Sequence, residues 1–76
     1  MAKFSWTNIM AREFETLVPM SEDQRIVFRD MVNGKSITHT AMTHNMSTRK
    51  VDSLRQWIKY MYREVQPYTP LLPEWK

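Results

Sequence analysis

Residues 34–51 read Gly34-Lys-Ser-Ile-Thr-His-Thr-Ala-Met-Thr-His-Asn-Met-Ser47-Thr-Arg-Lys-Val51, and their punctuation decides the fold. The Asn33-Gly34 pair can take the positive φ that closes a helix, and Ser36 can accept from the orphan N–H groups opening the next one. Ala41 is small where two crossing helices must approach closely. Asn45 tolerates the left-handed conformation of a tight turn, and Ser47 can cap a further helix that opens on basic residues. Two helices joined this way make a helix-turn-helix, with a short helix over about 37–44 and a long one over about 48–66.

The long helix shows why such a unit would hold together. At 100° per residue from Val51, the residues Leu54, Ile58, Met61, Tyr62 and Val65 share one side, while Arg49, Asp52, Ser53, Gln56 and Arg63 point away. Upstream, Ser5 or Thr7 can cap a first helix running to about Val18, with Trp6, Met10, Phe14 and Leu17 inward and Pro19 ending it. Ser21 with Gln24 three residues on makes a capping-box pattern for a second helix, about 22–32, with Ile26, Val27, Met31 and Val32 inward. The fold class is therefore all-α. Residues 1–66 are read as a small four-helix domain, and 67–76 as an extended, proline-rich tail that packs back on the domain or on a partner. No strand alternation, internal repeat or low-complexity run is evident.

The 76 residues suffice for one domain with little core to spare, and the lack of cysteine excludes disulfides and thiolate metal sites. No apolar run is long enough for a signal peptide or a membrane span, so a cytoplasmic protein is expected, with no membrane partner. The net charge of +3 is unevenly placed. Residues 1–33 carry four basic and five acidic groups, whereas 34–66 carry six basic groups against only Asp52 and Glu64. The positive half is the half that would meet a polyanion.

From Met20 to about Met61 the chain resembles the tetrahelical helix-turn-helix domains of LuxR-type regulators and region 4 of bacterial sigma factors. It is most similar to small sigma-like proteins of Firmicutes phages and mobile elements. The residues that carry the likeness are Ser21-x-x-Gln24, Gly34-Lys35-Ser36, Ala41, Asn45-Met46-Ser47 and Val51. The ending Val65-Gln-Pro-Tyr-Thr-Pro-Leu-Leu-Pro73 resembles tails of that phage group. Those families usually place Glu then Ile before the alanine and Leu three residues after it. Here His39-Thr40 and His44 stand in those places, at about 1–3 kcal/mol for each polar group that fails to find a partner.

His39 and His44 lie five residues apart, do not share a helix face, and have no cysteine or paired carboxylate nearby in sequence, so no metal site and no cofactor is expected. Ser36 and Ser47 read as caps rather than nucleophiles, and no phosphate loop or paired-acid arrangement is present; an enzyme is not expected. The expected function is sequence-specific binding of double-stranded DNA by a transcriptional regulator of phage or mobile-element type. Thr48, Arg49, Ser53 and Gln56 would reach base edges in the major groove, with Arg49 suited to guanine and Gln56 to adenine. Lys35, Ser36, Lys50, Arg55 and Lys59 would meet phosphates. Useful specificity from so small a module calls for a homodimer or two copies on adjacent half-sites. Trp57 and Tyr60 lie on the flank of the long helix, to be covered by the tail's Leu71, Leu72 or Trp75 or by a second subunit. With Trp75, they also motivate the alternative function: a protein-binding inhibitor or adaptor that docks on a host nucleic-acid enzyme.

Overall fold

The computed structural model describes residues 5–75, so Lys3 and Lys76 of the charge balance lie outside it. It contains four α-helices: α1 (Asn8–Leu17), α2 (Glu22–Val32), α3 (Ile37–Thr43) and α4 (Thr48–Val65). A single 3-10 turn over Gln66–Tyr68 follows, and there is no strand among the described residues. None of these helices is long and apolar enough to cross a membrane.

Each helix begins on a hydroxyl cap. The side chains of Thr7, Ser21, Ser36 and Ser47 accept from the backbone N–H groups of Met10, Gln24, His39 and Lys50 at 3.2, 3.3, 3.0 and 3.0 Å. Gln24 completes the capping box by accepting from the Ser21 N–H at 2.9 Å. Glu22 and Asp23 sit in the first turn of α2, where the helix dipole favours them. The other end of α2 closes on Gly34 at φ +76°, with Gly34 N–H donating to Met31 C=O and Lys35 N–H to Asp30 C=O. These two bonds define a Schellman ending, and it is Gly34 rather than Asn33 that takes the left-handed position.

The core is built on aromatic rings. Phe14 of α1, Phe28 of α2 and Tyr62 of α4 are fully buried and stack on one another through Phe14, with centroids 5.0 and 6.2 Å apart. Trp6, just ahead of α1, presents its ring edge-to-face to all three at 5.0–5.5 Å. Met10, Val18, Val27, Ala41, Val51, Ile58 and Leu72 complete the buried set. Two inward faces differ from the helical-wheel expectation. Leu17 lies at the edge of its stripe and is 41% exposed; Val18 fills the core instead, because the residue before Pro19 leaves the helix in an extended conformation. Phe28 is buried beside Val27 although no single-stripe reading selects it, since α2 is covered both by α4 and by the rings of Trp6 and Phe14.

The tail does not run straight from Pro67. Proline is tolerated in the first turn of a helix, where its missing N–H has no partner to lose, and one 3-10 turn forms with Thr69 N–H donating to Gln66 C=O. The chain then returns across α1 and α4. Thr69 Oγ1 donates to Glu13 Oε2 at 2.6 Å, Gln66 Nε2 to the Leu72 carbonyl at 3.2 Å, and the Tyr62 hydroxyl to the Pro73 carbonyl. Leu72 is buried, and the Trp75 ring meets those of Tyr62 and Trp6 edge-on at 5.2 and 5.9 Å. The tail thus covers Tyr62 and Trp6 and leaves Tyr60 exposed.

Candidate nucleic-acid interface

α3 and α4 are joined by His44-Asn45-Met46-Ser47. Asn45 adopts φ +55°, and the Met46 N–H donates to the Ala41 carbonyl at 2.9 Å, so α3 ends on the same left-handed device as α2. Met46 packs against the core immediately ahead of the Ser47 cap. Ala41 is buried on α3, whose principal neighbour is α4.

The two polar residues at aliphatic positions of this unit are reconciled by one carboxylate from α2. Thr40 is buried, and its hydroxyl donates to Asp30 Oδ2 at 2.9 Å, with the Ser36 carbonyl also within reach at 3.2 Å. His44 Nε2 lies 3.4 Å from the same Asp30 oxygen, both side chains being largely shielded from solvent. No buried side-chain polar atom lacks a partner among the described residues, so the polar-burial cost anticipated for this motif is met by Asp30. Sequence reading missed Asp30. The signal was present: it lies three residues after the buried Val27, on the same face of α2, where an acid needs a partner.

The long helix turns Val51, Ile58 and Tyr62 fully inward, with Leu54, Met61 and Val65 partly buried beside them. The four residues expected to reach base edges, Thr48, Arg49, Ser53 and Gln56, are all exposed. Gln56 Nε2 donates to Asp52 Oδ2 at 3.1 Å, which leaves its carbonyl oxygen and one N–H for an external partner.

The residues expected to meet phosphates are not equivalent. Lys35 and Ser36 are exposed in the turn that opens α3, where the Ser36 hydroxyl accepts from His39 and retains its own proton to donate. Lys50 is held by Asp23 at 2.6 Å, an exposed pair worth about 1 kcal/mol or less. Arg55 is half-buried. Lys59 is also half-buried, with its ammonium 5.7 Å from the centre of the Trp75 ring. Among the described residues neither Arg49 nor Arg63 takes part in an ion pair.

Of the three protein-interface candidates, Trp57 packs against the core and Trp75 is turned into the aromatic cluster. Tyr60 is 58% exposed, and its phenol is raised above its ordinary pKa by a hydrogen bond to Glu64 and by that carboxylate's charge. His39 faces solvent, and no group of three or more His, Asp or Glu side chains among the described residues could hold a metal ion. Comparison of the chain with known protein families, curated proteins and solved structures finds no match.

Proposed function

We propose that this chain is a helix-turn-helix protein that binds double-stranded DNA in a sequence-specific manner, as a cytoplasmic transcriptional regulator of phage or mobile-element type, with α4 as its reading helix. The observation that carries the reading is the outer face of α4: it opens on exposed Thr48, Arg49, Ser53 and Gln56, while the opposite face is locked into the core. A helix fits the major groove, and these side chains supply the donors and acceptors that distinguish base edges there. Lys35 and Ser36 flank the start of this unit and are free to hold its register on phosphates. The likeness to sigma-factor and LuxR-type domains supports the same assignment.

The test is a titration of random and selected duplex DNA at two salt concentrations. If about four phosphates are neutralised, a fourfold rise in salt weakens binding roughly a hundredfold. Arg49→Ala lowers discrimination between the selected and random duplex by about tenfold or more, whereas Lys35→Ala weakens both alike. No binding to either duplex at low salt overturns the assignment. The protein-binding alternative has less support, because Trp57 and Trp75, two of its three anchors, are engaged within the chain.

A further inference from the structure

The exposed cationic stripe of α4 continues well beyond the residues assigned to base reading. Arg49, Gln56 and Arg63 recur every seven residues, and all three are exposed. Seven residues bring a straight helix back to within roughly 20° of the same direction, so the three lie almost in one line. At 1.5 Å per residue they span about 21 Å, with successive members about 10 Å apart. The outer side of the C-terminal half is open: Gln56, Lys59, Tyr60 and Arg63 line a shallow depression of about 440 Å³ to which no other element contributes a wall. The folded tail lies to one side of that line, bordering Arg63 through Glu74 and Trp75 and meeting Lys59 through the Trp75 ring.

We propose that α4 lies lengthwise in the major groove of DNA, with Arg63 as a second specificity-determining residue at the far end from Arg49, so that one chain reads a continuous site of about five base pairs. This rests on the duplex-DNA reading above and replaces paired half-sites with a single site. The spacing carries it: a helix lying along the groove is inclined to the DNA axis, so about 10 Å of it advances roughly two base-pair steps of 3.4 Å, which places Arg49, Gln56 and Arg63 over positions about two pairs apart. The side-chain lengths fit the same arrangement. A straight helix touches a curved groove at its middle and diverges from it at both ends, where the long arginines reach further than the central glutamine. Each arginine presents a planar fork to guanine N7 and O6, and Gln56 keeps both an acceptor and a donor for adenine. Asp52, beside this line, is occupied by the Gln56 amide. Lys59, on the tail side, is held over the Trp75 ring and lies off this line.

Selection of sites from a randomised duplex pool with the full chain, followed by the stoichiometry of the complex at the selected site, tests this. The expected result is one uninterrupted site of about five base pairs bound by a single chain. Arg49→Ala relaxes the preference at one end by about tenfold, and Arg63→Ala does so at the other end. Arg63→Lys keeps the charge but loses the fork, so it too relaxes that end while retaining affinity for random duplex. Two copies on separated half-sites, or an Arg63→Ala variant with its whole sequence preference intact, overturn the lengthwise placement and leave DNA reading by Arg49 standing. Absence of any duplex binding at low salt overturns both.

Discussion

Asp30 shows how much can rest on one side chain. Its carboxylate joins α2 to α3 through Thr40 and His44, and it does so from the last turn of α2, where the helix dipole disfavours negative charge. Two effects oppose one another. Removing the acid relieves a dipole interaction of about 0.3–1 kcal/mol, but it takes the shared acceptor from a shielded imidazole and from a buried hydroxyl that keeps only the Ser36 carbonyl, at about 1–3 kcal/mol. The second effect is larger. Asp30→Ala should therefore lower the unfolding free energy by about 1–2 kcal/mol in urea titrations, and Asp30→Asn, which keeps an oxygen acceptor for Thr40, by less. Asn45 and Gly34 were legible as turn residues from composition alone, since only their types adopt φ near +55° and +76° at small cost. Asp30 was legible only as an acid on the inward face of α2, because its partners exist only once α3 is laid against α2.

Among the elements, the tail departs furthest from a reading by local propensity. Three prolines within Pro67–Pro73 argue for extended chain, yet the stretch is mostly turns, with Thr69 extended between the 3-10 turn and the turn at Pro70-Leu71, and its position is set by contacts distant in sequence. Thr69 bonds to Glu13 on α1, the Pro73 carbonyl accepts from Tyr62 on α4, and Leu72 closes the gap between them. Leu72→Ala empties a site that is 1% exposed and should cost about 2–5 kcal/mol. Leu71→Ala, a neighbour that is 49% exposed, should change stability by far less. Equal losses in thermal melts of the two variants would show that the tail does not hold this register in solution. The contrast with α4 is instructive: its 3.6-residue pattern identified the buried stripe from Val51 to Val65 without any knowledge of its neighbours.

At the scale of the molecule, a 76-residue chain closes its core by bringing both ends to one aromatic cluster, with Trp6 and Trp75 meeting on Tyr62. Burial of the Tyr62 phenol disfavours its ionised form and pushes its pKa from 10.0 to about 12. A raised pKa means that the folded state holds the proton more tightly than the unfolded state. The associated stability is thus fully present below pH 10 and is lost as the pH climbs towards 12. Urea midpoints measured from pH 9 to 12 should fall steeply above pH 10 in the wild-type chain. They should fall less in Tyr62→Phe, which has no phenol to ionise but is less stable at neutral pH for want of the Pro73 hydrogen bond, by about 1 kcal/mol. Superimposable pH profiles would show that Tyr62 is not the group responsible.

By itself the amino-acid sequence determined the number, order and approximate ends of the helices, because caps, left-handed turn residues and helical periodicity act within a few residues of one another. It also determined which side of α4 carries the exposed Arg49, Gln56 and Arg63. The tertiary structure alone decided that Asp30 answers Thr40 and His44, that Lys50 and Lys59 are engaged by Asp23 and Trp75, and that the tail seals Tyr62 while Tyr60 stays exposed. Those pairings join residues from separate helices or from helix and tail, and their partners are set by how the elements pack, which no local periodicity encodes.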